Sequence, residues 1–159
     1  MPQTLTKYFG TLEYPETDVM RFPSGLPAFE QETEFLTIEP AAQAPMLFLQ
    51  SLRDSGICFL ALPILSIDPE YQLQLTNEDI DSLNLEPGPQ PGNGEGIICL
   101  ALIAIGEDGS ISANLLAPIV IHAGNQRGVQ AIRSDSLYSH QHVVVKPEPV
   151  VVKPEEVCS

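Results

Sequence analysis

Proline and glycine cut this chain into short lengths, and that spacing constrains its fold more than any other feature. Fifteen prolines and 11 glycines leave apolar or alternating runs at 8–14, 17–22, 35–39, 46–52 and 57–65, each bounded by turn residues. Residues 71–75 read YQLQL, the alternation of a strand with one buried face. Two further runs, 97–105 and 111–121, flank Glu107-Asp108-Gly109-Ser110, and Asp-Gly between apolar runs is a strong hairpin signal. Residues 129–133 add another strand. Many short strands joined by turn residues predict a mainly β fold, a small and mostly antiparallel barrel-like sheet.

One short helix is expected beside the sheet. Thr76-Asn77-Glu78-Asp79 has the form of a capping box, with Thr76 as N-cap and Asp79 reaching back to its amide. Glu78, Asp79 and Asp81 then fall in the first turn, where the helix dipole favours negative charge. Ile80 and Leu83 would face the core, and the prolines from Pro87 onward stop the helix.

The 159 residues suffice for one compact core without disulfides or metal, and the folded domain is placed at 1–142. Beyond it VVVKPEP (143–149) recurs as VVVKPEE (150–156). Its prolines forbid a helix, so 143–159 is expected to be an extended, flexible tail whose valine triplets suit a sheet edge. No apolar run approaches the roughly 20 residues that span a bilayer. Cys58, Cys99 and Cys158 are odd in number and lack redox or metal spacing, which fits reduced thiols and a cytoplasmic location.

Charge narrows the partners. Twenty-one acids against seven bases give −14. Between Glu13 and Asp108 there are 17 acids and only Arg21 and Arg53 as bases, whereas from Gly109 onward four of each cancel. Such a surface repels nucleic acid and anionic membranes, so neither is expected to bind directly.

Motifs for bond-making chemistry are missing. There is no G-x-S-x-G elbow. The GNGEG of loop 86–96 lacks nucleotide-loop spacing. His122, His140 and His142 show no spacing that demands a metal, and the acids form no calcium loop. No catalytic residue, cofactor or metal is expected, and the chain reads as a binding protein.

Several stretches, in order, resemble the family of the flagellar assembly factor FliW. They are Phe22-Pro-Ser-Gly-Leu-Pro-Ala-Phe29, with Ala28 where glycine is usual; Leu47-Phe-Leu-Gln-Ser-Leu52; Cys58-Phe-Leu-Ala-Leu-Pro63 with Pro69-Glu-Tyr71; and Asn114-Leu-Leu-Ala-Pro-Ile-Val-Ile121 followed by Gly128-Val-Gln130. His122 stands where asparagine is usual. The resemblance covers about residues 5–138 and leaves the tail repeat unassigned. It implies a barrel-like β fold and a protein with two protein partners, flagellin and the RNA-binding translational repressor CsrA; the chain itself is expected to be a monomer. FliW-type binding keeps CsrA off flagellin messenger RNA, and accumulating flagellin restores repression. Two groups are expected to meet partners: the acids Asp68, Glu70, Glu78 and Asp79, and the amides Asn114, Asn125, Gln126 and Gln130, which also suit capping their own turns. Rival readings are a small-molecule-binding β-barrel, a carboxylate enzyme and an export chaperone for flagellin alone.

Overall fold

A computed structural model describes residues 2–85, 96–135 and 137–145. The loop expected at 86–96 lies outside the described residues except for Gly96, as does the tail beyond Val145. Strands β1 (Gln3–Thr6) and β2 (Gly10–Glu13) form an antiparallel hairpin of their own. Next come β3 (Met20–Arg21), β4 (Glu34–Ile38), β5 (Leu47–Ser51) and β6 (Cys58–Pro63), then helix α1 (Asn77–Ser82). The chain continues through β7 (Ile97–Ile105), β8 (Ile111–Ala113), β9 (Ile119–His122), β10 (Arg127–Gln130) and β11 (His142–Val145).

Hydrogen bonds run through β7-β6-β5-β4-β3-β10-β9 and return from β9 to β7, so seven strands close a ring. All these neighbours are antiparallel except β3 and β10, which meet in parallel through one bridge, Arg21 to Arg127. The Arg21 N–H also donates to the Gln126 carbonyl at 2.8 Å at this seam. Strand β7 is long enough to serve several neighbours: Leu100–Leu102 pair with β6, Ile97–Leu100 with β9, and Ile103–Ile105 with β8. β8 in turn carries β11 on its far edge.

Alternation along the strands makes two cores. Phe22, Phe35, Leu49, Leu100, Ile119 and Ile121 point into the ring and are almost wholly buried, filling it with side chains. The opposite faces of β7 and β9, through Ile97, Cys99, Ala101 and Val120, form a second core on the outside. Residues 64–85 lie over that face and bury Ile64, Tyr71, Leu75, Ile80 and Leu83 against it.

Several elements differ from the sequence expectation. Segment 71–75 keeps the alternation, with Tyr71 and Leu75 buried and Gln72 and Gln74 exposed, but belongs to no strand. Side chains take up its backbone groups instead: the Gln72 N–H donates to the Tyr138 hydroxyl at 2.9 Å, and the Arg133 guanidinium donates to the Gln72 carbonyl. The run 111–121 is two strands, because the Asn114 carboxamide accepts the N–H groups of Leu116 and Ala117 at 3.1 and 3.0 Å and turns the chain. Run 17–22 pairs only over Met20–Arg21. The first valine triplet of the repeat, Val143 to Val145, lies in β11. The expected hairpin at 107–110 is present: Gly109 adopts φ +84°, and Asp108 accepts both the N–H and hydroxyl of Ser110, which holds its carboxyl below the usual range.

Candidate docking surface

A run of acids on the exterior is built by the segment that seals the outer core. Its buried anchors, from Ile64 to Leu83, fix which residues between them face water. Glu70, Glu78 and Asp81 are exposed, and Asp68 is half-buried with Oδ1 accepting the Glu70 N–H at 3.0 Å. Asp79 differs from its neighbours. It is only 8% exposed, and its carboxylate accepts the Thr76 N–H at 3.0 Å while Thr76 Oγ1 accepts the Asp79 N–H at 3.1 Å. The capping box therefore forms, and Asp79 holds the helix start while Glu78 beside it points outward.

The far end of α1 is equally defined. Asn84 takes φ 56°, the Leu85 N–H donates to the Ile80 carbonyl and the Asn84 N–H to the Asp81 carbonyl, both at 3.0 Å. This is a Schellman ending with asparagine at its left-handed position. The Leu83 carbonyl receives the Asn125 carboxamide at 3.0 Å and His122 Nδ1 at 3.2 Å. His122, standing where the family pattern has asparagine, keeps a donor for this carbonyl when Nδ1 carries the proton.

A second support lies under segment 71–75. Arg133, 7% exposed, makes a bidentate pair with Asp135 at 2.9 and 2.8 Å and lies 5.0 Å from the Tyr138 ring. Tyr138 packs 4.3 Å from Tyr71, whose hydroxyl donates to the Leu115 carbonyl at 2.6 Å. The Arg133 hydrogen bond holds the Asp135 carboxyl below its usual range, and burial pushes the Tyr71 phenol up to about 12. Sequence reading missed this cluster, since its members are scattered from 71 to 138.

No Lys or Arg occurs between Arg53 and Arg127. Among the described residues the ion pairs are Arg21–Glu34, Arg53–Glu32 and Arg133–Asp135, so none neutralises an acid of segment 64–85. The result is a rigidly seated acidic face. Each predicted amide, by contrast, bonds within the fold. Asn114 caps its own turn, and Asn125 accepts the Arg127 N–H at 3.0 Å besides reaching Leu83. Gln126 donates to the Thr17 carbonyl at 3.0 Å and Gln130 to the Ala117 carbonyl at 3.1 Å. Asn125 and Gln126 also line a cleft of about 480 Å³ with Glu16, Thr17 and Arg21.

Burial raises the Cys58 thiol and pushes Cys99 up to about 12, so both stay protonated and weakly nucleophilic at neutral pH. No group of three or more His, Cys, Asp or Glu side chains placed to hold a metal occurs among the described residues. None of their helices is long and apolar enough to cross a membrane.

Known proteins are similar to this chain in sequence and fold. The family model described as FliW protein matches residues 3–144. The flagellar assembly factor FliW of Syntrophomonas wolfei is 30% identical over 139 residues, spanning 87% of this chain and 85% of that protein. That of Geobacillus kaustophilus is 32% identical over 139 residues, spanning 86% and 91%. A crystal structure of the flagellar assembly factor FliW superposes with a TM-score of 0.77 at 26% identity, covering 91% of this chain and 98% of the other.

Proposed function

The chain belongs to the FliW family of flagellar assembly factors, and from that membership we propose that it acts by docking on proteins and not by catalysis. In this reading it is a monomeric cytoplasmic regulator with two partners. It binds CsrA and keeps that repressor from flagellin messenger RNA; flagellin awaiting export competes for it and returns CsrA to the message. Flagellin supply is thereby coupled to assembly.

The observation that carries the proposal is the unpaired acidic face on segment 64–85. CsrA must present a basic surface to RNA, and an acidic body seated beside it raises the cost of bringing phosphates there. Asp68, Glu70 and Glu78 supply the field, and Asp79 fixes the helix from which Glu78 projects. Asn125 and Gln126, in their cleft, and Asn114 and Gln130 near the strand ends contribute polar rim contacts.

The test is a charge reversal. Replacing Glu70→Lys and Glu78→Lys together should weaken CsrA binding about tenfold in calorimetry at low salt, roughly 1.4 kcal/mol, with the melting temperature unchanged. Both residues are exposed, so folding is spared. Unaltered affinity refutes the acidic face as the CsrA contact. In a companion assay the unmodified protein should release RNA from CsrA and added flagellin should reverse that release; binding flagellin alone would leave only an export chaperone.

A further inference from the structure

At the parallel contact of β3 and β10, Arg21 stands opposite Arg127. Their successors, Phe22 and Gly128, meet inside the ring, so alternation puts both arginine side chains on its outer face. The row continues on either side, where Glu34 on β4 is paired with Arg21 and His122 on β9 with Arg127. Across four neighbouring strands the outer face thus reads Glu34, Arg21, Arg127, His122, with no acid beside Arg127. Like charges directly opposed across strands are destabilising, and the seam carries that cost where its ladder has a single bridge.

Little within the molecule answers these two charges. The Arg21–Glu34 pair spans 3.5 Å with side chains 61% and 48% exposed, longer than a charge-assisted hydrogen bond. Arg127 enters no ion pair among the described residues. Arg53 and Arg133, by contrast, are each held at 2.8 Å by Glu32 and Asp135. With Phe22, Pro23, Thr33 and Glu34, the two seam arginines line a cleft of about 360 Å³. Two guanidinium forks thus open on one small space, an arrangement that suits an oxyanion held by paired hydrogen bonds. The surroundings choose among anions. The chain carries −14 and Glu34 stands in the wall, so repulsion grows with each charge on the ligand. A carboxylate brings one negative charge, a phosphate close to two and a nucleic-acid backbone many.

We propose that this cleft binds a carboxylate, gripped between Arg21 and Arg127, and that the bound group clasps the ring at its parallel seam. The ligand supplies the negative charge that the row lacks and turns the repulsion of two arginines into a pair of shared ion contacts. A peptide, through its chain end or an acidic side chain, and a small free carboxylic acid both carry this chemistry. The inference stands independently of which partners the acidic face meets.

Arginine Nε–H signals in NMR spectra of the full chain test this directly. Sodium acetate, added at constant ionic strength, should shift the signals of Arg21 and Arg127 saturably and leave those of Arg53 and Arg133 in place. At saturation, hydrogen exchange of the Arg21 backbone N–H, which donates to Gln126 across the seam, should slow. Arg127→Gln should weaken acetate binding about tenfold, the loss of one charge-assisted contact. Glu34→Gln should tighten it, since a competing carboxylate is gone. Both side chains are exposed, so folding is spared. N-acetyl-trialanine distinguishes the sources: tighter binding than acetate, lost in its C-terminal amide, assigns the cleft to a peptide, and affinity no better than acetate assigns it to a free acid. The absence of a saturable shift overturns the proposal, as do equal shifts at all four arginines. So does saturable binding of inorganic phosphate without acetate, or an Arg127→Gln protein that binds acetate like the unaltered chain.

Discussion

Ala28 sits at φ 69°, a region that favours glycine. The Phe29 N–H donates to the Leu26 carbonyl at 2.7 Å, closing a turn with Pro27 second and Ala28 third; proline followed by positive φ is the type II pattern, which wants glycine third. The departure noticed in the sequence is therefore a site of backbone strain. Ala28→Gly should stabilise the fold by about 0.5–1 kcal/mol, the relief of left-handed strain less the entropy that glycine returns to the unfolded chain. Urea denaturation checks this, and an unmoved midpoint would show that the turn carries no strain. Other residue roles were not legible. Sequence supplies a list of polar side chains but not which of them the fold consumes. Asp79, Asn125, Gln126 and Gln130 each bond to groups between three and 109 positions away, and only folding creates the distant neighbours.

At the level of elements, local chemistry was readable wherever it was self-contained. The capping box, the Asp-Gly turn and β7 from Ile97 to Ile105 follow from adjacent residues alone. Thr76→Ala and Asp79→Ala should each cost about 1 kcal/mol in thermal melts. The double variant should cost clearly less than their sum, because either change breaks the same reciprocal pair; strict additivity would mean that the two bonds act separately. Elements whose state depends on tertiary partners were misread. Segment 71–75 alternates like a strand, yet Tyr138 and Arg133 occupy the backbone groups a ladder would need. Strand β1 is polar and gave little local signal, whereas the valines of β11 suited a sheet edge without naming it; each is a strand because a neighbouring edge accepts it.

Across the whole molecule, a barrel-like antiparallel sheet was legible in the punctuation of the chain, but the closure of the ring was not. The ring closes where β3 and β10 meet in parallel, residues 21 and 127 apart in sequence and both arginine. Like charges facing each other oppose closure, so packing behind the seam must hold it. Phe22 fills the ring there against Gly128, and a methyl group at 128 would stand 2.6 Å from the Phe22 ring. Gly128→Ala should therefore cost about 2–3 kcal/mol, as overpacking does, and hydrogen exchange at Arg21 and Val129 should rise more than in β5. Uniform protection would show that the seam is no weaker than the rest. Strand β7 separates the two interiors: Ile97, Cys99 and Ala101 serve the outer one, Leu100 and Leu102 the inner. Like a zip toothed on both sides, it has freedom to drift in composition and none in length, since the loss of a single residue would turn both sets of teeth outside in together.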